Sequence, residues 1–268
     1  MGGSAMTTVD GALLKQWERA EIERSALQAD LTARVTRTSP RVIARYANPP
    51  HDTAYALEYA LHLLGDASGQ RVLDLGCGDG EFTPLLTSHG ANVVGLDIST
   101  DLLALARRRI ELDGFGAQAR PLCGSAHVIP LQDESVDVVF GMAVLHHLDL
   151  DLAAREVHRV LKPGGRAIFK EPVRNSKVIA AIRALIPYRQ PDVSPFERPL
   201  RIDEVRRFAS RFHGFAAREF ELPFVSLLTV CGAPDAILKK AYRLDRQLLQ
   251  RFTLLRPYGS VVVFEVTK

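Results

Sequence analysis

The stretch VLDLGCGDGEFT, residues 72–83, decides the fold class of this 268-residue chain. Its apolar first half predicts a strand, and Gly76, Gly78 and Gly80 follow where the strand gives way to a helical segment. In sheets of parallel strands, ligands lie beyond the carboxyl ends, and glycines there let the backbone approach a ligand without a Cβ clash. The stretch therefore predicts a ligand site at the end of the first strand.

Strand and helix patterns alternate outward from this stretch. Short apolar strands are predicted at residues 72–75, 92–96, 117–123, 136–142 and 166–169, and helices between them at 82–88, 101–112 and 152–161. This alternation indicates an α/β fold, with a parallel, doubly wound, Rossmann-like sheet. Beyond Pro172 the rhythm is lost. Helices at 178–186, 202–212 and 236–255 are predicted there, with late strands at 216–222 and 260–266.

The flanking regions complete the expected organisation. The start MGGSAM looks like cloning sequence, so Met6 is the expected initiator. Apolar residues at helical spacing predict an amphipathic helix near the N-terminus, interrupted only by Arg24: Leu13, Trp17, Ala20, Leu27, Leu31 and Val35. We expect a helical lid at 6–64, a cofactor-binding core at 65–172 and a helical substrate cap with the last two strands at 173–268.

The composition is that of a globular protein. With 47% hydrophobic and 24% charged residues, it excludes collagen, coiled coil and wholesale disorder. The cysteines Cys77, Cys123 and Cys231 lack CxxC spacing, which argues against a disulfide framework and a zinc site. No apolar run reaches the roughly 18 residues of a membrane span. A cytoplasmic location without a bound metal is the expectation.

The net charge of +3 hides opposite signs in the two parts of the chain. Residues 173–268 contain 17 basic and 9 acidic residues, whereas the first 172 contain 17 and 22. Arg198 and Arg201 flank Pro199 in a segment too irregular for a helix, and we predict that they aim at an acidic or phosphorylated acceptor. The alternative is that these arginines are solvated surface.

Four spaced blocks carry a family resemblance over residues 71–172. Asp74 and the three glycines form an acidic-x-Gly-x-Gly-x-Gly signature, and Asp97 closes the second strand, where a carboxylate accepts both hydroxyls of a ribose. The segments 124–148 and 161–172 supply the other blocks. Together they resemble class I S-adenosylmethionine-dependent methyltransferases of the small-molecule, type 11-like kind. Dinucleotide binding is disfavoured, because Glu81 replaces the third glycine of GxGxxG.

The resemblance implies a seven-stranded sheet and S-adenosyl-L-methionine as cofactor. Ser125 stands where the family often has an aspartate, and its hydroxyl can still accept a bond from the adenine amine. The cofactor-binding residues that the resemblance implies are Asp74, Gly76, Cys77, Gly78, Gly80, Asp97, Ile98, Ser125, Ala126 and Met142.

Two residues at neighbouring strand ends are candidates for catalysis. His146 follows the fourth strand, similar in position to the histidine base of plant-type phenolic O-methyltransferases, and Glu171 ends the fifth. We predict His146 as general base and Glu171 as its orienting acid, with His147 pointing away. Two alternatives stay open: substrate positioning alone, and carbon methylation of an isoprenoid or ring with Glu171 stabilising a cation.

The predicted function is methyl transfer to a small acceptor, most simply an oxygen nucleophile. Phenol, sugar, amine, polyketide and isoprenoid acceptors all fit the sequence. An RNA methyltransferase is a rival because of the basic C-terminal part, although no RNA-binding module is visible and no nucleic-acid partner is predicted. A non-catalytic, cofactor-binding subunit is a rival from another class.

Overall fold

A computed structural model describes residues 11–31, 35–176 and 198–268. Its strands are β1 (Arg71–Leu75), β2 (Asn92–Asp97), β3 (Ala119–Cys123), β4 (Val136–Met142), β5 (Leu161–Pro172), β6 (Gly214–Phe220) and β7 (Val261–Thr267). They form one seven-stranded sheet in the order β3-β2-β1-β4-β5-β7-β6. Strands β1 to β5 are parallel, and β7 runs antiparallel to β5 and β6. The predicted Rossmann-like sheet is confirmed.

Helices cover both faces of the sheet. They are α1 (Gly11–Leu31), α2 (Pro40–Tyr46), α3 (Ala56–Leu64), α4 (Thr83–Ser88), α5 (Thr100–Asp113), α6 (Leu150–Val160), α7 (Ile202–Ala209), α8 (Pro223–Val230) and α9 (Asp235–Arg251). One apolar layer contains Val157 and Phe208, from α6 and α7, and the other contains Leu61 and Leu86, from α3 and α4. The helix predicted at 178–186 lies outside the described residues.

Local sequence signals set the ends of the core helices. Ser99 caps α5 by accepting a hydrogen bond from the Leu102 amide, and Gly114 follows the helix in the left-handed region with φ 78°. Gly65, with φ 59°, follows the last residue of α3 and ends the helix. These ends fix where each connection to the next strand begins.

The N-terminal helix exists, but its orientation differs from the prediction. Leu13, Leu27 and Leu31, which belong to the predicted apolar stripe, are exposed, whereas Glu21 and Ser25 are buried. The reason is that α1 covers the cleft at the sheet edge, where Glu21 and Ser25 line it together with Trp17. The expectation that the apolar stripe marks the buried face is wrong.

The C-terminal helices α8 and α9 lie in the chain between β6 and β7. Tyr242 of α9 packs against Tyr55 with ring centroids 4.8 Å apart and ring planes tilted by 44°, and Arg246 forms an ion pair with Asp52 at 2.8 Å. These contacts join α9 to the segment that precedes α3. The division of the chain into lid, core and cap stays a prediction.

Across the three described ranges, no helix combines the length and apolar character that crossing a bilayer requires. The cytoplasmic location stays a prediction.

Candidate active site

A cleft of about 400 Å³ lies at the carboxyl ends of β1, β2 and β4, with α1 along one side. This is the edge where ligands bind in doubly wound sheets. Eight of the ten predicted cofactor-binding residues line it: Gly76, Cys77, Gly78, Asp97, Ile98, Ser125, Ala126 and Met142. The cleft therefore brings together residues from four separate stretches of sequence.

The glycine loop after β1 is shaped by two close approaches. Gly76 has φ 69°, and a Cβ there would lie 2.4 Å from Val144 Cγ2. Gly80 has φ 77°, and its Cβ would lie 3.0 Å from the Ala106 Cβ on α5. Gly80 therefore allows close helix packing behind the loop, whereas Gly76 allows the β4 end to approach the cleft.

Main-chain amides tie this loop to the end of β2. The amides of Gly76 and Cys77 donate to the Leu96 carbonyl at 2.8 and 3.0 Å. Asp97 accepts from the Gly78 amide through Oδ2 and from the Ser99 amide through Oδ1, both at 2.9 Å. Burial raises the pKa of Asp97, against the effect of these two bonds. The carboxylate thus holds the loop and faces the cleft at once.

Asp74 lies behind the cleft rather than on its surface. It is buried, and Thr83 Oγ1 donates to its Oδ2 at 2.8 Å. Burial raises the pKa of Asp74 to about 7. Asp74 and Gly80 are the two predicted cofactor-binding residues that do not line the cleft. They stabilise the loop from the side away from the cleft, Asp74 through Thr83 and Gly80 through its close approach to α5.

His146 and Glu171 meet at the end of β4 beside the cleft. His146 lines the cleft, and its Nδ1 lies 2.8 Å from Glu171 Oε2. The other carboxylate oxygen accepts from the amides of Val144 at 2.9 Å and Leu145 at 2.8 Å. Glu171 is fully buried and does not line the cleft. Because a carboxylate partner requires Nδ1 to donate, a neutral His146 carries its lone pair on Nε2.

The residues next to His146 complete this end of the cleft. Ala143 has φ 56°, which an L residue with a side chain rarely adopts, and its amide donates to the Lys170 carbonyl at 2.7 Å. His147 also lines the cleft, and its Nδ1 lies 3.3 Å from Glu21 Oε2. The expectation that His147 points away is wrong, because the 3₁₀ turn Leu145–His147 presents both imidazoles to the cleft.

Sequence reasoning missed a wall of polar residues on α1. Glu18 accepts a hydrogen bond from the Ser125 hydroxyl and lies 3.2 Å from His127 Nδ1. The His127 Nε2 accepts a hydrogen bond from the Asp149 amide at 3.0 Å. Burial raises the pKa of Asp97, and the positive charge of Arg24 opposes this effect. The available signal was a polar stripe at helical spacing: Glu18, Glu21, Arg24, Ser25 and Gln28.

Arg198 and Arg201 do not reach the cleft. Arg198 forms a bidentate pair with Glu204, and the Arg201 Nε lies 2.8 Å from Asp203 Oδ1. The side chains of Arg198 and Arg201 are 60% and 61% exposed. The prediction that they aim inward is wrong, because acidic residues in the first turn of α7 hold both guanidiniums at the surface.

Comparison with known proteins agrees with this geometry. Residues 73–169 match a family model described as a methyltransferase domain. An uncharacterized methyltransferase of Mycobacterium tuberculosis is 40% identical over 107 residues, 40% of this chain and 42% of that protein. The malonyl-[acyl-carrier protein] O-methyltransferase of Pectobacterium atrosepticum is 36% identical over 113 residues, covering 42% of each.

The fold also has a counterpart among solved structures. The YcgJ protein of Bacillus subtilis shares 20% identity and a TM-score of 0.56, over 78% of this chain and 98% of that one. This likeness concerns the fold.

A doubly wound sheet with a glycine-lined cleft at its carboxyl edge is typical of proteins that bind a nucleotide cofactor. The central part of the chain, residues 73–169, is a class I, S-adenosylmethionine-dependent methyltransferase domain, as the spaced blocks indicate. The chain spans about two fifths of the length of the curated relatives described above.

Proposed function

We propose that this protein transfers a methyl group from S-adenosylmethionine to a small-molecule acceptor, most simply to an oxygen nucleophile. His146 acts as general base, and Glu171 orients it. In-line displacement at a sulfonium depends mainly on alignment and exclusion of water, worth about 7 to 11 kcal/mol, and a base contributes about 10²- to 10⁴-fold more. The cofactor occupies the cleft between the glycine loop and α1.

The 2.8 Å contact between His146 and Glu171 carries the proposal. It joins a cleft-lining imidazole to a fully buried carboxylate, whose other oxygen is held by two main-chain amides. This arrangement fixes the imidazole ring and its tautomer, as the orienting acid of a catalytic triad does. The base would take the acceptor proton at Nε2 and release it to solvent after methyl transfer.

Carbon methylation is the second candidate. Named relatives include both O-methyltransferases and C-methyltransferases. The alternative role of Glu171, direct stabilisation of a carbocation, does not suit its position, because both oxygens accept bonds from the loop after β4 and the side chain does not line the cleft. The geometry therefore favours a hydroxyl acceptor whose proton passes to His146 over carbon methylation that relies on Glu171 to stabilise a cation.

Two measurements test the proposal. Calorimetry with S-adenosylhomocysteine and with NAD should show binding of the first alone, because Glu81 stands in the place of the third dinucleotide glycine. Label transfer from methyl-labelled cofactor into a small-molecule extract should then give a labelled product. Tight cofactor binding without any labelled product would favour the non-catalytic subunit.

His146→Ala should lower this turnover by about 10²- to 10⁴-fold and leave the affinity for S-adenosylhomocysteine unchanged. Glu171→Gln should produce a similar loss, and the double variant should lose little more, because the two side chains act as one unit. Turnover of His146→Ala within threefold of the parent would contradict proton removal by His146. Positioning alone would then carry the reaction.

A further inference from the structure

A second group of titratable side chains lies at the same edge of the sheet as the cleft. In β5, Lys170 is paired with Met142 of β4, which lines the cleft, and with Val263 of β7. Glu221 directly follows β6, whose last residue, Phe220, is paired with Val261 of β7. Because Val261 is also paired with the last residue of β5, the end of β6 reaches the carboxyl edge.

Lys170 and Glu171 belong to opposite faces of the sheet, because successive strand residues alternate. Lys170 therefore shares its face with Met142 and Ile168, and with the apolar layer that contains Phe220 and partly buried Phe82. Adjacent strands are about 4.8 Å apart, so roughly 14 Å separate β4 from β6. This is the length of a small organic molecule.

The Glu221 carboxylate and the Lys170 ammonium both lack a bonded partner among the described residues. Glu221 is largely buried, and burial raises its pKa while the Lys170 charge lowers it. The two groups thus interact electrostatically without forming an ion pair. Asp245 differs, since its carboxylate accepts the amides of Glu221 at 3.1 Å and Leu222 at 2.7 Å. Asp245 thus holds the main chain of the turn after β6, and this contact does not involve the Glu221 side chain.

Aromatic residues connect this group with the cofactor cleft. Tyr242, whose pKa burial raises to about 12, interacts with Glu221 and packs against Tyr55. The Arg45 guanidinium lies 5.1 Å from the Tyr55 ring centroid and 5.2 Å from that of Tyr46. Tyr46 in turn interacts electrostatically with Glu81, which lines the cleft. A chain of pairwise contacts and charge interactions therefore links Glu221 to the cleft-lining Glu81.

We propose that Lys170 and Glu221 form the acceptor subsite of this enzyme and bind a small polar molecule that carries an anionic group and a hydroxyl or amine donor. The anionic group contacts Lys170, the donor contacts Glu221, and the reacting atom lies toward Met142 and His146. Partly buried charges without bonded partners are costly to keep, and a ligand that bridges them would supply both missing partners. The subsite rests on the proposed methyl transfer.

The test uses the full chain, methyl-labelled S-adenosylmethionine and a small-molecule extract separated by charge into neutral, cationic, anionic and zwitterionic fractions. We expect label in the anionic or zwitterionic fraction. Lys170→Met and Glu221→Gln should each raise the KM for the accepting fraction by about tenfold or more, the loss of one charged hydrogen bond. Lys240→Met and Glu111→Gln, both at exposed positions, are the matched controls.

Affinity for S-adenosylhomocysteine reports whether each variant folds, and it should stay unchanged because neither side chain lines the cleft. Label in the neutral or cationic fraction, or variants that match their controls, would overturn the subsite and leave methyl transfer standing. Absence of label from every fraction with the parent protein would overturn the proposed function and the subsite together.

Discussion

The two walls of the cofactor cleft are held in different ways. At the sheet edge, main-chain amides bond the Leu96 carbonyl and the Asp97 carboxylate. On α1, the contacts are between side chains, Glu18 with Ser125 and Glu21 with His147. Main-chain bonds between neighbouring strand ends form whenever the sheet forms. The two side-chain pairs form only when α1 is docked, and Glu18, which is 26% exposed, should contribute little energy.

The wall at the sheet edge is therefore preorganised for binding, whereas the wall on α1 encloses the cleft. The sheet edge presents its ligand groups before the cofactor arrives, so changes there should affect folding and binding together. The α1 wall closes the cleft through contacts that bridge more than a hundred positions of sequence, Glu18 to Ser125 being 107 apart. Changes on α1 should therefore reduce affinity modestly and leave the fold intact.

The glycine loop gives the largest expected effect. Gly76→Ala places a Cβ 2.4 Å from Val144 Cγ2 at a residue with φ 69°, so backbone strain of about 1 to 2 kcal/mol adds to overpacking of about 1 to 3 kcal/mol. Gly78→Ala is the matched control, because its φ is 54° but no atom lies within 4 Å of the added Cβ. Denaturant unfolding without cofactor should show a clearly larger loss for Gly76→Ala. Equal losses would mean that the Val144 approach is not a constraint.

Asp74 offers a pH-dependent test of the same edge. Burial raises its folded-state pKa to about 7, above the unfolded value of 3.8, so the folded chain retains a proton that the unfolded chain releases between these values. Stability should therefore fall as pH rises from about 4 to 7, by up to about 4 kcal/mol.

The variant Asp74→Asn removes this titration while keeping an oxygen for the Thr83 hydroxyl. Its stability relative to the parent should thus rise with pH over the same interval, as measured by denaturant unfolding at pH 4.5, 6 and 8. A difference that stays constant across these pH values would show that Asp74 is ionised in the folded protein.

The sheet edge was predictable from sequence because its residues must satisfy backbone geometry. Gly76 and Gly78 adopt positive φ, and Asp97 ends the neighbouring strand, so the glycine loop indicated the position of the site and the family resemblance supplied its residues. Glu18 and His127 were not found, because a polar stripe on a helix also describes a solvated surface. Which face α1 buries depends on the cleft beneath it, and that is a tertiary property.

Arg198 and Arg201 illustrate the opposite failure of sequence reasoning, because the sequence placed them in the site and the structure does not. Charge excess in a region says nothing about nearby counter-charges, and Asp203 and Glu204 neutralise these two guanidiniums within one helical turn. Lys170 and Glu221 lie 51 positions apart in the sequence and become neighbours only through the β5-β7-β6 strand order. Such pairs require the topology before they can be recognised.

The smallest expected effect concerns Glu18 on the α1 wall. Glu18 accepts a hydrogen bond from the Ser125 hydroxyl, so a lone pair of the serine oxygen stays available. That lone pair can accept a hydrogen bond from the adenine amine, as the family resemblance implies for this position. Glu18 is 26% exposed, so the contribution should be about 0.4 to 1 kcal/mol, a roughly twofold to fivefold loss of S-adenosylhomocysteine affinity in Glu18→Ala. Glu23→Ala, on the exposed face of the same helix, is the control, and calorimetry with thermal unfolding measures both. A loss of tenfold or more, or a lowered melting temperature, would show that α1 is as preorganised as the sheet edge and would remove the distinction between the two walls.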